Sequence, residues 1–347
     1  MEQKYLERAK ELHEKHIVAD THLDLAGEIY YRSQAGEQEI IKNHYLENWR
    51  KAGMTLIVSS IFLETDPLPE MGLRLALDQI SAIYEDVDTV SDEVCIVTSQ
   101  KELREAGEQD KIAIILYMEG LDCIGMDLRM LRCLYEMGIR GASLTWSRRN
   151  YLAEGCCVPR KREDIPGGLS VHGKEAVAKM EELGMFLDIS HLNDDGVADI
   201  EQITNGSYIA THSNCRSVYF NYRNLTDEQM IKMAEKGGIM GLNGCECIAG
   251  GVGEKGYDML AEHAKYAVNL IGDDHVGYGL DICYPYESVV PETRSLPETQ
   301  NGDIVKTHAD LPKLTAALLK SGLKEESVIK IMGENFYHYF EKVLPEK

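Results

Sequence analysis

Residues 112–119 read IAIILYME, seven apolar or aromatic residues closed by a carboxylate and followed by Gly120. A run apolar at every position, with no alternation, suits a strand covered on both faces, as in a parallel sheet flanked by helices. The same kind of run recurs on both sides of it. Upstream are IVADTH (17–22) and MTLIVSSIF (54–62). Downstream come IRGASLTW (139–146), MFLDISH (185–191), SYIATHS (207–213), GIMGLN (238–243) and HVGYGLD (275–281). Between the runs lie residues at helical spacing, such as Leu128, Leu131, Leu134 and Tyr135, or Leu260, Ala264 and Ala267. Eight strand–helix units predict closure into a TIM-type (β/α)8 barrel rather than an open sheet.

No repeat, low-complexity tract or linker divides the chain, so residues 1–347 are expected to form one domain. A stretch rich in Pro, Glu, Ser and Thr, CYPYESVVPETRSLPETQNGD, follows the eighth run and reads as a long loop over one end; 284–300 is a candidate lid. Two closing helices are expected near 309–321 and 325–343. The second carries Val328, Ile331, Met332, Phe336 and Phe340 as a core-facing stripe.

The polar residues of the eight runs collect at their C-terminal ends. His22 ends the first, with Asp24 two residues on; Glu119 ends the third, His191 the fifth, His212 the sixth and Asp281 the eighth. In a barrel these ends converge on one mouth, where active sites lie. Three histidines and three carboxylates gathered there are costly to desolvate unless they share bound cations. Imidazole and carboxylate are both good zinc ligands. In extended backbone His22 and Asp24 point the same way and reach one metal; Glu119 is the natural bridge, and His191 with His212 completes a second site. Two ions so placed hold a hydroxide and polarise a carbonyl. Two Zn²⁺ are therefore expected, although Mn²⁺ or Co²⁺ accept the same ligands.

The remaining histidines carry no assigned chemistry. His13, His16 and His44 read as surface residues and His275 as structural at the opposite face, while His172, His263, His308 and His338 fall in helices or loops. Cys245 and Cys247 are read as small apolar filler rather than soft ligands. Lys and Arg total 36 against 58 Asp and Glu, a formal charge of −22, which argues against nucleic acid or an anionic membrane as partner. The nine cysteines, the missing signal-type apolar segment and the lack of a long apolar run predict a cytoplasmic protein.

At these residues the chain resembles the membrane (renal) dipeptidase family of zinc peptidases, among the amidohydrolase-like barrels. The matching segments are ADTHLDL (19–25), YMEG (117–120), LDISHL (187–192), ATHSNCRSVYFNYRNLTDEQ (210–229), GDDHVGYGLD (272–281) and IMGENF (331–336). The resemblance implies that His22 and Asp24 bind one zinc, that Glu119 bridges and takes part in catalysis, and that His191 and His212 bind the other. It also implies that Asp281 moves the proton from attacking hydroxide to leaving amine, and that Arg223, with Asn224 beside it, grips the substrate's terminal carboxylate. A small dipeptide, including an L,D-dipeptide, is the implied substrate, and a homodimer the implied assembly.

Two positions depart from the family. Trp146 stands where renal-type members carry a histidine that helps polarise the carbonyl, and Cys283-Tyr284 stands where an Asp-Gly is usual. An indole donates one hydrogen bond through its ring N–H but cannot carry a proton charge, so another group can substitute, and Arg148, Arg149 and Asn150 just beyond the strand are candidates. Trp146 therefore motivates a rival reading, an amidohydrolase acting on N-acyl amino acids or another small amide or ester. A non-catalytic metal-binding scaffold is the reading from another class.

Overall fold

The computed structural model describes residues 2–156, 167–291 and 302–347. The strands are β1 (Val18–Leu23), β2 (Met54–Phe62), β3 (Val94–Ile96), β4 (Ile112–Glu119), β5 (Ile139–Ser143), β6 (Phe186–Asp188), β7 (Tyr208–Ser213), β8 (Met240–Leu242) and β9 (Val276–Tyr278). All pairings are parallel, in the order β1-β2-β4-β5-β6-β7-β8-β9. These eight are the eight expected runs, and helices flank them as in a TIM barrel. β3 is additional: it pairs with Ile112–Ile114, while β5 takes the upper part of the same β4 edge from Leu116 to Glu119. Three residues carry no period by which to announce themselves.

The barrel is nearly closed. Between β9 and β1 the Asp281 N–H donates to the His22 carbonyl at 3.3 Å, and the Leu280 N–H donates to Asp20 Oδ1 at 2.8 Å. Inside, the Thr21 hydroxyl bonds the Thr211 and Tyr278 carbonyls at 2.6 and 2.9 Å. That crossing needs Gly279, where a Cβ would lie 1.7 Å from the Thr211 oxygen.

Alternate residues of β4 (Ala113, Ile115, Tyr117) join Leu56, Val58, Phe186 and Ile209 in an apolar layer, and Phe336 and Phe340 of the last helix belong to the same cluster. Glu119 is the next member of that β4 row, so the layer ends in polar groups at the mouth. The expected last helix is not continuous. It runs as Glu325–Ile329, a π turn Lys330–Glu334, and Asn335–Val343. At the turn Gly333 comes so close to β1 that a Cβ would sit 2.6 Å from the Ile17 oxygen. The preceding helix spans Leu311–Lys320.

His13 is a correction. It is 4% exposed and bonds the Ala52 carbonyl and Thr315 Oγ1, both at 2.7 Å. Its charged helix, Gln3–His13, turns it inward together with Ala9 and Leu12. Residues 284–287 form a short helix, and the rest of the candidate lid from 292 to 300 lies outside the described residues.

Candidate metal centre

The structure brings His22, Asp24, Glu119, His191, His212 and Asp281 to one mouth of the barrel. His22 Nε2 lies 3.7 Å from Asp24 Oδ1, 3.6 Å from Glu119 Oε2 and 3.6 Å from Asp281 Oδ1. On the other side, Glu119 Oε1 lies 3.0 Å from His191 Nε2 and 3.4 Å from His212 Nε2, and these two nitrogens are 2.9 Å apart. The two carboxylate oxygens of Glu119 thus face two different sets of partners. The routes differ from simple strand alternation. β1 is irregular between Asp20 and Leu23, and Asp24 stands at the N-cap position of the helix Leu25–Gln34 without spending its side chain on the helix end. His191 and Asp281 lie three residues beyond the ends of β6 and β9, both at positive φ, 68° and 54°.

Each imidazole is aimed by its other nitrogen. Nδ1 of His22 meets the Tyr117 hydroxyl, that of His191 meets Ser147 Oγ at 2.7 Å, and that of His212 meets Thr211 Oγ1 at 2.7 Å. Thr211 is in turn held by Asp188 at 2.6 Å, and the Asn243 amide donates to Asp281 Oδ2 at 2.9 Å. The Ser60 hydroxyl donates to Asp24. Such outer partners fix ring orientation in metal sites. None of these hydroxyls was singled out in the sequence. The usable signals were Tyr117, two residues before Glu119 on the same strand face, and Thr211, adjacent to His212.

Electrostatics describe a set short of positive charge. Burial, then Asp24 and Asp281, push the Glu119 carboxyl well above its ordinary range, with Arg223 opposing. Burial also raises Asp24, against the pull of His22. Burial holds His191 and His212 well below the usual histidine value, aided by Arg223 and His22. His22 Nε2 is fully buried with no hydrogen-bond partner. Neutral imidazoles and acids that release their protons to a cation are the donor set a divalent metal requires, so these residues fit one.

The substrate-side candidates divide. Arg223 is 5% exposed; its two terminal nitrogens donate to Ser213 Oγ (2.7 Å) and the His212 carbonyl (2.6 Å), and its Nε has no partner. Asn224 is fully buried, and its amide holds the Tyr219 and Ile248 carbonyls, both at 2.9 Å. That side chain braces the loop carrying Arg223. Trp146 lies in the loop three residues past β5, its ring 5.7 Å from that of His191. Of the proposed substitute donors, Arg148 binds Asp122 and the Leu63 carbonyl, Arg149 pairs with Glu154 at 2.8 Å, and Asn150 donates to the Leu144 carbonyl. The Cys283 thiol contacts the Asp281 carbonyl at 3.2 Å, and Cys245 lies 3.3 Å from Cys247, sulfur to sulfur.

Residues 6–345 match the profile of the family described as membrane dipeptidase, peptidase family M19. The chain belongs to the membrane dipeptidase family. Among curated relatives it is similar to "Dipeptidase verJ" of Clonostachys rogersoniana, 26% identical over 78% of this chain and 66% of that one. It is also similar to "Dipeptidase tcpJ" of Claviceps purpurea, 23% identical over 80% and 62%. The chain thus spans a little under two thirds of the length of these two relatives. Among solved structures, the family M19 metallopeptidase "dipeptidase AC" superposes with a TM-score of 0.81, at 26% identity over 94% of this chain and 98% of that one. A metallopeptidase from Rhodobacter sphaeroides, liganded with a phosphinate mimic of the dipeptide L-Ala-D-Ala, gives 0.80 at 25% identity over 95% and 100%. Among the described residues of this member of the membrane dipeptidase family, no helix is long and apolar enough to cross a membrane.

Proposed function

We propose that the protein is a binuclear zinc dipeptidase that hydrolyses the peptide bond of small dipeptides, L,D-dipeptides among them. The observation that carries the reading is Glu119, with one oxygen facing His22 and the other facing His191 and His212. His22, Asp24 and Glu119 would hold one ion, and Glu119, His191 and His212 the other. The pair supplies Lewis acidity at a carbonyl oxygen and acidifies water near neutral pH.

The chain's own residues do the rest. The Asn243 amide donates to Asp281 Oδ2 while Oδ1 faces His22 Nε2 at 3.6 Å and the Cys283 thiol at 3.5 Å, and this carboxylate would take a proton from the attacking water and return it to the leaving nitrogen. Arg223, braced by Ser213 and the His212 carbonyl, stands beside the centre with a guanidinium able to grip the substrate's terminal carboxylate. The L-Ala-D-Ala mimic bound by the Rhodobacter relative supports an L,D-dipeptide substrate.

The test is Asp281→Asn. Turnover of a dipeptide panel should fall by about 10²–10⁴-fold, the usual worth of a general acid–base group, while two metals per chain remain by elemental analysis. Undiminished turnover would remove Asp281 from the mechanism. Because Trp146 replaces the family's histidine, N-acyl amino acids belong in the same panel. Cleavage of these alone would favour the amidohydrolase reading.

A further inference from the structure

Beside the metal centre the mouth carries an aromatic wall. Phe62 ends β2 directly opposite Glu119 in the β2–β4 register, and Trp146 follows β5 on the other side of β4. Their ring centroids lie 5.4 Å apart. Tyr286 packs edge-on to Phe62 at 5.9 Å, and Val290 completes a small apolar cluster to which Tyr31 and Trp146 are the partly buried members.

The wall is rigid. Arg148 holds its guanidinium 5.4 Å from the Trp146 ring while bonding both Asp122 oxygens at 3.2 Å and the Leu63 carbonyl at 2.7 Å. Its charge is therefore spent on Asp122, and what it offers the mouth is a fixed indole. Gly120, at φ +81°, lets this loop close in, since a Cβ there would lie 3.0 Å from the Trp146 nitrogen. A pre-fixed aromatic surface is the kind that recognises apolar groups at low entropic cost.

Direction follows from topology. Arg223 is fastened to the end of β7, whereas Phe62 and Trp146 stand at the ends of β2 and β5, with β6 and His191 between. A dipeptide whose carboxylate lies at Arg223 and whose scissile carbonyl lies at Glu119 and His191 extends its amino-terminal residue towards the aromatic wall. We propose that Phe62, Trp146 and Tyr286 form a specificity pocket for the amino-terminal side chain, selecting dipeptides that begin with a large apolar or aromatic residue. This rests on the dipeptidase reading above.

The experiment measures kcat/KM of the zinc-loaded enzyme for Phe-D-Ala, Leu-D-Ala, Gly-D-Ala and Asp-D-Ala, together with calorimetric binding of the matching phosphinate analogues. Phe and Leu substrates should lead Gly and Asp by about tenfold or more, since one methylene in an apolar pocket is worth about 10–200-fold. In Phe62→Ala and Trp146→His the Phe-to-Gly ratio should shrink at least about fivefold, carried mainly by KM, and the Phe-type analogue should lose its binding advantage. Equal or better turnover of Gly-D-Ala and Asp-D-Ala by the wild type would overturn the pocket and leave the dipeptidase reading standing. No hydrolysis of any dipeptide by protein holding two metals would overturn both.

Discussion

Replacing Asp20 by alanine should destabilise the metal-free barrel by several kcal/mol, and the cost can be built bond by bond. Asp20 is fully buried at the β1–β9 seam. Its Oδ1 accepts the Leu280 N–H at 2.8 Å and the His22 N–H at 3.3 Å; its Oδ2 meets His308 Nε2 at 2.9 Å. Because the Trp49 indole N–H donates to His308 Nδ1 at 3.3 Å, the imidazole proton sits on Nε2 and points at Asp20. Alanine strands three buried donors, each worth about 1–3 kcal/mol when left unsatisfied. Taking the lower part of that range gives about 3–5 kcal/mol, the same size as breaking one buried polar pair. For 347 residues the unfolding entropy is about 0.7 kcal/mol per degree, so the midpoint should fall by about 4–7 °C. Calorimetry on metal-free protein reads this without the contribution of bound ligand. His308→Ala should cost less, and the double variant less than the sum, because the two share one bond. A fall of under about 1 °C for Asp20→Ala would refute the view that this carboxylate holds the seam and, through it, His22 and Asp281.

Three further outcomes are expected. Glu287 and Asp303, raised to about 7 and about 6, should each cost metal-free protein stability as pH rises to those values, because a raised acid binds more protons folded than unfolded. The lowered His13, His191, His212 and His263 act in the opposite sense up to the ordinary imidazole range. Thermal melts of the wild type and Glu287→Gln from about pH 4.5 to 7.5 isolate the sign: the wild type should lose stability relative to the variant as pH rises towards 7, and a difference that stays constant or grows in its favour would contradict it. Zinc binding should release protons and tighten with pH, because burial favours the protonated form of Glu119 and the neutral forms of His191 and His212; calorimetry in two buffers of different ionisation enthalpy measures the release. Arg223→Lys should lower kcat/KM for dipeptides by about 10–100-fold, since a lysine cannot reproduce the two-pronged grip on a carboxylate.

The barrel was legible in the sequence because its strands are covered on both faces and so announce themselves as unbroken apolar runs. The short β3 and the π turn at Lys330–Glu334 were not. One is set by an edge left open below β5, the other by the approach of Gly333 to β1, and neither is a local propensity. The six polar residues at the mouth were legible because topology alone gathers strand ends. What stayed hidden was the shell behind them: Tyr117, Ser147 and Thr211 are ordinary strand and loop residues until the fold places each hydroxyl on an imidazole. His13 and His308 were misread or passed over for the same reason, since their partners Thr315 and Asp20 lie hundreds of residues away in the chain. Arg148 and Asn150 show the reverse error. Proximity to Trp146 in sequence suggested catalytic donors, yet their hydrogen bonds are committed to Asp122 and backbone carbonyls.

Backbone strain offers support for the site that does not depend on resemblance. Among the described residues only Glu39, Asp110, His191 and Asp281 are non-glycine residues at positive φ. Asp110 is an exposed turn residue, where such a conformation costs little else. His191 and Asp281 stand at the mouth, where the left-handed region costs about 1–2 kcal/mol per residue relative to glycine. A glycine would remove the strain at either position, at the price of the side chain. The fold instead clamps both: the His191 carbonyl accepts the Cys156 N–H at 2.6 Å, and the Asp281 N–H reaches the His22 carbonyl at 3.3 Å. Strain held in place by surrounding bonds is characteristic of functional positions. The reason to hold it here is the aim it gives two side chains, the imidazole towards Glu119 and the carboxylate towards His22, which no relaxed strand continuation past β6 or β9 supplies.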